Sequence, residues 1–467
     1  MEDELERGLL LPQGGGGVSE YHRLSSDVIE RTTVLIRPSR RHASARPRTA
    51  RGVGRDAEDG GEGAESTTGQ ASLNLVLSAA GGIGMVTLPG SFAILGYAEG
   101  ALALVAASTA AAWSLVLLDS ACKKVNKASS ASYGALVASI LGPAGCYALE
   151  ALTLVYCLGQ VVAYVGAIGA QASAIWGHFQ PGHRLPVNWA TAGSALLAML
   201  PLSLLPERGV MRFAGAAGCL CMVYIVATVI LGDATRAALG QGPCSLSGGS
   251  LNPVAFGRSA TRLLQNLPIF LFSMNASVIY VPVRSGHGPS LRGAPGGRHL
   301  IALSVAASAM LYLSCSAAAY YAYCGGVPEN VVDAWPISWV PGLFARVLLC
   351  LELLVAGAGI YVPLARASLW HLIFGPRAKA AAAGWARLAA SLGILALGAA
   401  ASVLLSGALA LPLAVTASLC VTAQLFVLPG LAVYRSSGSV AALVFSLVGI
   451  AFGVLSLLAL FGVLGSD

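Results

Sequence analysis

Apolar stretches of about 20 residues recur through most of this chain, and that is the length a helix needs to cross a bilayer. Hydrophobic residues make up 56% of the sequence and charged residues only 10%, a balance that the core of a soluble domain does not absorb. The pattern predicts an all-α polytopic membrane protein with about 11 transmembrane helices. The predicted spans lie near residues 71–97, 99–118, 147–174, 187–205, 212–232, 262–283, 299–323, 342–363, 385–406, 409–434 and 440–464.

The basic residues predict the orientation of these spans, because Lys and Arg concentrate in short cytosolic loops. With the amino terminus in the cytosol, loops on its side carry most of these residues and the opposite loops carry few. Residues 1–70, rich in Gly, Arg, Pro, Ser and Glu, are typical of a disordered cytosolic tail, and residues 71–467 form the membrane domain. The basic excess therefore reflects a tail and a topology, and no nucleic-acid partner is predicted.

Two short patterns in the tail resemble sorting signals. Glu6 with Leu10 and Leu11 resembles an acidic dileucine signal, and Tyr21–Leu24 (YHRL) resembles a tyrosine-based one. Such signals bind cytosolic sorting adaptors, so the plasma membrane and an endolysosomal or vacuolar membrane both stay open. Either pattern can also arise by chance in a tail of this length.

The first span contains a cluster of glycines in its middle. Gly81, Gly82 and Gly84 lack the side chain that favours a regular helix, and Pro89 removes a backbone donor, so the span is predicted to unwind locally. In membrane transporters, backbone that leaves the helix at this depth forms substrate sites. The alternative is that the small residues let another helix approach closely.

A second interruption is predicted in the sixth span, where Ser273, Asn275 and Ser277 lie between Pro268 and Pro282. Breaks five helices apart are typical of a five-plus-five inverted repeat with discontinuous helices 1 and 6, the eleventh helix being an addition. The alternative interpretation is a proline kink with serines bonded to their own helix.

Several short patches occur along the chain in a recognisable order. They are Gly82–Pro89, Ser132–Gly134 (SYG), Gly159–Tyr164 (GQVVAY), Pro201–Leu205 (PLSLL), Pro268–Pro282, Tyr320–Gly325 (YYAYCG), Pro363–Arg366 (PLAR) and Leu428–Gly430 (LPG). In this order they resemble the amino acid/auxin permease family, which includes neutral amino acid, proline and vesicular inhibitory amino acid carriers. The resemblance implies a transmembrane amino acid transporter domain that moves small neutral amino acids by alternating access.

The expected substrate site combines the two interrupted spans. The carboxylate of an amino acid suits the N–H groups and positive helix end at the first break, and its ammonium suits carbonyls freed in the sixth span. Phe272 and Met274 are candidates to close the pocket, and the resemblance adds Tyr164. The predicted substrate-binding residues are Gly81, Gly82, Ile83, Gly84, Met85, Tyr164, Phe272, Ser273, Met274, Asn275 and Ser277.

The coupling ion is predicted from departures from the family. Sodium-coupled members hold the ion with an asparagine in span one and a threonine in span eight, where this chain has Ser78 and Ala356. An alanine side chain has no oxygen to coordinate a hard cation, so proton coupling or uniport is favoured; a shifted register with Asn74 keeps sodium open. Glu352, near the middle of span eight, is the predicted proton-coupling residue, with a buried structural anchor as the alternative.

Other classes of protein are weighed against transport. No span offers a nucleophile with a base, paired aspartates or a metal-binding HExxH, so no catalytic, metal or cofactor site is predicted. An amino-acid sensor with the same pocket stays open as the alternative to a transporter. Cys244 and Cys324 both fall on the outer side in this topology and are predicted to form a disulfide in an oxidising compartment.

Overall fold

The computed structural model describes residues 83–125, 132–183, 185–205, 220–233, 235, 254–257, 259–286, 294–323, 326–375, 384–405 and 409–463. The predicted tail, the first-span glycines Gly81 and Gly82, and the predicted disulfide pair Cys244 and Cys324 lie outside these residues.

The described residues form eleven apolar helical segments, as the hydropathy pattern predicts. Nine are long and apolar enough to cross a membrane, and the first and fifth are shorter. In chain order they are α1 (Ile83–Leu95), α2 (Tyr97–Lys124), α3 (Tyr133–Phe179), α4 (Val187–Leu204), α5 (Leu220–Asp233), α6a (Ala260–Ser273) with α6b (Ser277–Gly286), α7 (Ala294–Tyr323), α8 (Val340–Phe374), α9 (Gly384–Leu404), α10 (Ala410–Ser437) and α11 (Val440–Leu460).

The sixth span is interrupted, as predicted, between α6a and α6b. Met274 leaves the helical region at φ −95° and ψ 0°, and α6b begins at Ser277. The side-chain oxygen of Asn275 accepts a hydrogen bond from the Ser277 backbone N–H at 3.2 Å, as asparagine does where it starts a turn. Asparagine thus satisfies one of the donors that the break exposes.

The first span differs from its prediction around Pro89. The unwinding expected there is absent, because α1 stays helical across Pro89 to Leu95. Proline lacks only one N–H, and membrane helices tolerate it where neighbouring groups bond the freed carbonyls.

Two helices have boundaries that differ from the predicted ones. In α3, Gly142 takes the left-handed φ of 78° directly before Pro143, so a short leading segment meets the main helix at a kink. In α8, the helix runs on to Phe374, past the predicted end near residue 363. Pro363 is accommodated because it follows a wide π-type turn, Gly357–Tyr361, and occupies the first positions of the next helical segment.

Buried apolar side chains form two clusters that hold the helices together. The larger joins α1, α3, α6a, α8 and α10, with Tyr164 and Phe270 among its fully buried members. The smaller joins α2, the start of α3, α6b, α7 and the end of α10. The break in the sixth span therefore lies where the two clusters meet.

A buried ion pair ties α2 to α6b. The Arg284 Nε donates to the Asp119 carboxylate at 2.7 Å, and both side chains are almost fully buried. Lys123, one turn along α2, also pairs with Asp119 but is 34% exposed. The buried contact thus carries more of the electrostatic stabilisation than the exposed one.

We expect Asp119→Asn to destabilise the protein by about 3–5 kcal/mol, because it keeps the shape of the side chain but leaves Arg284 as an uncompensated buried charge. Lys123→Met is the matched control and should cost at most about 1 kcal/mol, since exposed pairs contribute little. Unfolding of the purified proteins in detergent measures both. Equal stability of the two variants would contradict this assignment.

Candidate functional site

The start of α1 packs directly against the end of α6a. A Cβ atom built on Gly84 would lie 2.8 Å from the Ser273 hydroxyl oxygen, so only glycine allows this approach without a shift. The Ser273 hydroxyl donates to the Ile269 carbonyl of its own helix at 2.9 Å. The structure therefore shows close packing at Gly84 and a hydroxyl bonded to its own helix at Ser273. These two arrangements are the alternatives to a direct ligand role.

The backbone freed by the break is bonded by neighbouring helices. The Ser273 carbonyl accepts a hydrogen bond from the Tyr312 hydroxyl of α7 at 3.1 Å. The side-chain amide of Asn275 within the break also donates, to the Gln424 side-chain oxygen of α10 at 3.3 Å. These bonds hold the break open at a defined place, as backbone outside a helix requires in a membrane.

An aromatic wall from α3 and α8 faces the end of α6a. The Tyr156 ring lies 6.0 Å from the Phe272 ring and 6.1 Å from the Tyr361 ring. Tyr164, two turns along α3, meets the same Tyr361 ring edge-on at 5.3 Å. The structure thus connects Tyr164 to the break through Tyr361 and Tyr156, and not by direct contact with Phe272.

The other predicted residues of the site occupy the same region. Ile83 and Met85 at the start of α1 are buried, as is Met274 within the break. Ser277 begins α6b, and its side chain is buried too. The structure therefore brings the described part of the first span and the break in the sixth span together.

Gln160 was not singled out by the sequence analysis as a site residue. It lies on α3 between Tyr156 and Tyr164, is fully buried, and neither atom of its side-chain amide has a hydrogen-bond partner among the described residues. A glutamine in an apolar span is itself a signal, because a buried amide is costly without partners. In the sequence, Gln160 is the second residue of the GQVVAY patch.

Glu352 lies on α8, one turn before the wide turn Gly357–Tyr361. The residue is 5% exposed, and its Oε2 atom has no hydrogen-bond partner within the described segments. Tyr164 and Tyr361 lie close enough to interact with it electrostatically. A carboxylate held at this depth is costly, and such groups commonly serve an ion or proton pathway.

A polar cluster joins the C-terminal end of α3 and the N-terminal end of α8 to the loop between α7 and α8. Arg346 donates to the Gln171 side-chain oxygen at 2.5 Å and to the Asp333 carboxylate at 3.1 Å. Gln171 in turn donates to Asp333 at 2.7 Å. Nearby, the Trp335 indole N–H donates to Asp233 at the end of α5. This loop is therefore bonded to three helices.

The same loop also covers α1 and α10. A Cβ on Gly90 of α1 would lie 2.6 Å from the Pro328 carbonyl, which indicates close contact. The Glu329 carboxylate accepts hydrogen bonds from the backbone N–H groups of Leu409 and Ala410 at 3.2 and 3.3 Å. We call residues 326–339 the α7–α8 loop; it closes this end of the helix bundle over α1.

Two solved structures share this arrangement of helices. One is Mhp1 in an inward-facing conformation, 12% identical, covering 85% of this chain and 90% of its own, with a TM-score of 0.52. The other is the Eremococcus coleocola manganese transporter with an aromatic bis-isothiourea substituted compound, 13% identical, covering 88% and 90%, with a TM-score of 0.50. At this identity they establish the fold alone: a multi-span helical protein with five-plus-five inverted-repeat architecture.

The family is established by sequence. Residues 64–466 match the family of transmembrane amino acid transporter proteins, and the chain belongs to that family. No curated protein sequence matches the chain. The protein is therefore an integral multi-pass membrane protein of a transporter family, not an enzyme.

We expect Gly84→Ala to lower the initial rate of amino acid uptake about tenfold, because overpacking at such a contact costs about 1–3 kcal/mol. Ser273→Ala alone should stay near wild type, since the hydroxyl bonds only its own helix. The double variant should recover uptake, because the remaining Ser273 Cβ would lie 3.4 Å away, an ordinary contact.

Gly393→Ala is the control for this series, because a Cβ there meets only open space among the described residues. Initial rates in proteoliposomes measure all four variants. If Ser273→Ala abolished uptake and failed to rescue Gly84→Ala, the packing assignment would be wrong and a direct ligand role for the hydroxyl would replace it.

Proposed function

We propose that the protein is a secondary active transporter of small neutral amino acids that works by alternating access and is driven by protons. The observation that carries this proposal is the break at Met274–Ala276, held by α7 and α10 against the start of α1. Helix ends and backbone groups at such a break suit the carboxylate and ammonium of an amino acid.

The neutral character of the substrate follows from the side chains around the break. Tyr156, Gln160, Phe272, Asn275 and Tyr361 are all uncharged. A negatively charged substrate side chain buried against this set would lack a counter-ion, which is expensive, and a positively charged one would occupy Glu352, which this proposal assigns to the proton. A small neutral side chain pays no comparable penalty.

Proton coupling is supported by the position of Glu352. It lies buried within electrostatic range of Tyr164 and Tyr361, so a change in its charge acts on the aromatic wall that faces the break. Ala356, on the same helix, offers no side-chain oxygen for sodium. Both observations favour a proton over sodium as the coupling ion.

The orientation and the membrane form part of the same proposal. The amino terminus faces the cytosol, because the basic loops lie on that side. The tail patterns around Leu10 and Tyr21 then lie where sorting adaptors reach them, at the plasma membrane or an endolysosomal or vacuolar membrane.

Uptake of radiolabelled amino acids by the purified protein in proteoliposomes tests the proposal. We expect alanine, serine and similar substrates to accumulate when a pH gradient is imposed, with or without sodium. A strict sodium requirement would overturn the coupling ion. Binding without flux under every gradient would overturn transport and favour an amino-acid sensor.

We expect Glu352→Gln to abolish accumulation driven by pH while amino acid exchange across the membrane continues, because the amide keeps the shape of the side chain but does not ionise. Glu150→Gln is the matched control: its carboxylate lies on α3 after the kink at Gly142, 3.2 Å from His371, and pH-driven uptake should persist. Unchanged pH dependence in Glu352→Gln would remove Glu352 from the mechanism.

A further inference from the structure

Gln160 is buried in the middle of α3 with both polar atoms of its side chain unbonded among the described residues. Buried side-chain amides normally find partners, so one without any needs an explanation. Two other buried glutamines differ. Gln171 bonds Asp333 and Arg346, and the Gln424 side-chain oxygen bonds Asn275, although the Gln424 side-chain nitrogen has no partner among the described residues.

The helical position of Gln160 determines which way it faces. Tyr156, Gln160 and Tyr164 are spaced at i, i+4 and i+8, so they share one face of α3. Tyr156 contacts Phe272 and Tyr361 on this face, and Tyr164 contacts Tyr361. Gln160 therefore lies on the face of α3 whose tyrosines contact the end of α6a and the wide turn of α8.

The chemistry of an amide limits its partner. A glutamine side chain donates through its nitrogen and accepts through its oxygen. An ammonium only donates and a carboxylate only accepts, and in the proposed function the backbone at the break binds both of these groups of the substrate. A hydroxyl or a second amide both donates and accepts.

We propose that Gln160 is a specificity-determining residue that binds the side chain of the substrate, and that the preferred substrates are neutral amino acids with a hydroxyl or amide side chain. The inference rests on the proposed transport function, in which the backbone at the break binds the charged groups of the substrate. It adds to that function the residue that binds the side chain of the substrate. A site built to hydrogen-bond a polar group discriminates strongly against an analogue that lacks it.

Isosteric pairs of amino acids test this assignment. Threonine and valine have nearly the same shape and differ in one hydroxyl, and asparagine and leucine differ similarly in an amide. In proteoliposomes we expect the wild-type protein to take up threonine at least about tenfold more efficiently than valine, and asparagine more efficiently than leucine.

Gln160→Met keeps the size of the side chain and removes its hydrogen bonding, so the ratio of threonine to valine uptake should fall to about one, mainly through loss of threonine uptake. Gln265→Met is the matched control: Gln265 donates to the Ala459 carbonyl of α11, away from the break, and the wild-type ratio should persist. If Gln160→Met fails to fold, Gln160→Ala, which adds no volume, should show the same loss of preference.

The outcomes separate this inference from the transport proposal. A wild-type protein that transports no amino acid refutes the proposed function. A wild-type protein that transports threonine and valine equally refutes only the role of Gln160. A Gln160→Met or Gln160→Ala variant that is folded and active yet keeps the wild-type ratio refutes it as well.

Discussion

Every backbone polar group inside a bilayer must be bonded within the protein, and the break in the sixth span depends on how this structure meets that requirement. The Ser273 carbonyl is bonded by Tyr312, and the Ser277 N–H by the Asn275 side chain. Asn275 also bonds Gln424. The interruption is thus fixed between α7 and α10, and the end of α6a contacts α1 and α3.

The number of spans and the break in the sixth were predictable, because hydropathy and polar residues at membrane depth depend on local sequence. The roles of individual residues were less predictable from the sequence. Ser273 looked like a ligand, yet its hydroxyl bonds its own helix beneath Gly84. Gln160 was missed because a lone glutamine has no periodic signal; its importance depends on which residues of other helices fail to reach it. Such contacts exist only in the folded protein.

The wide turn Gly357–Tyr361 lies between a buried carboxylate and an aromatic ring on the same helix. Glu352 lies before it, and the Tyr361 ring that contacts α3 lies at its end. A Cβ on Gly357 would lie 2.5 Å from Met199 of α4 and 3.4 Å from Tyr164, so the turn is packed tightly. Wide turns of this kind are frequent at functional sites, and here one lies between the carboxylate and the aromatic wall.

The α7–α8 loop contacts α1, α3, α8 and α10 at once, through Pro328, Glu329 and Asp333. Passage of an amino acid through this end of the bundle therefore requires several polar bonds to break together, and water must replace them. Because one loop makes all of these contacts, its separation from the four helices is expected to be a single cooperative event.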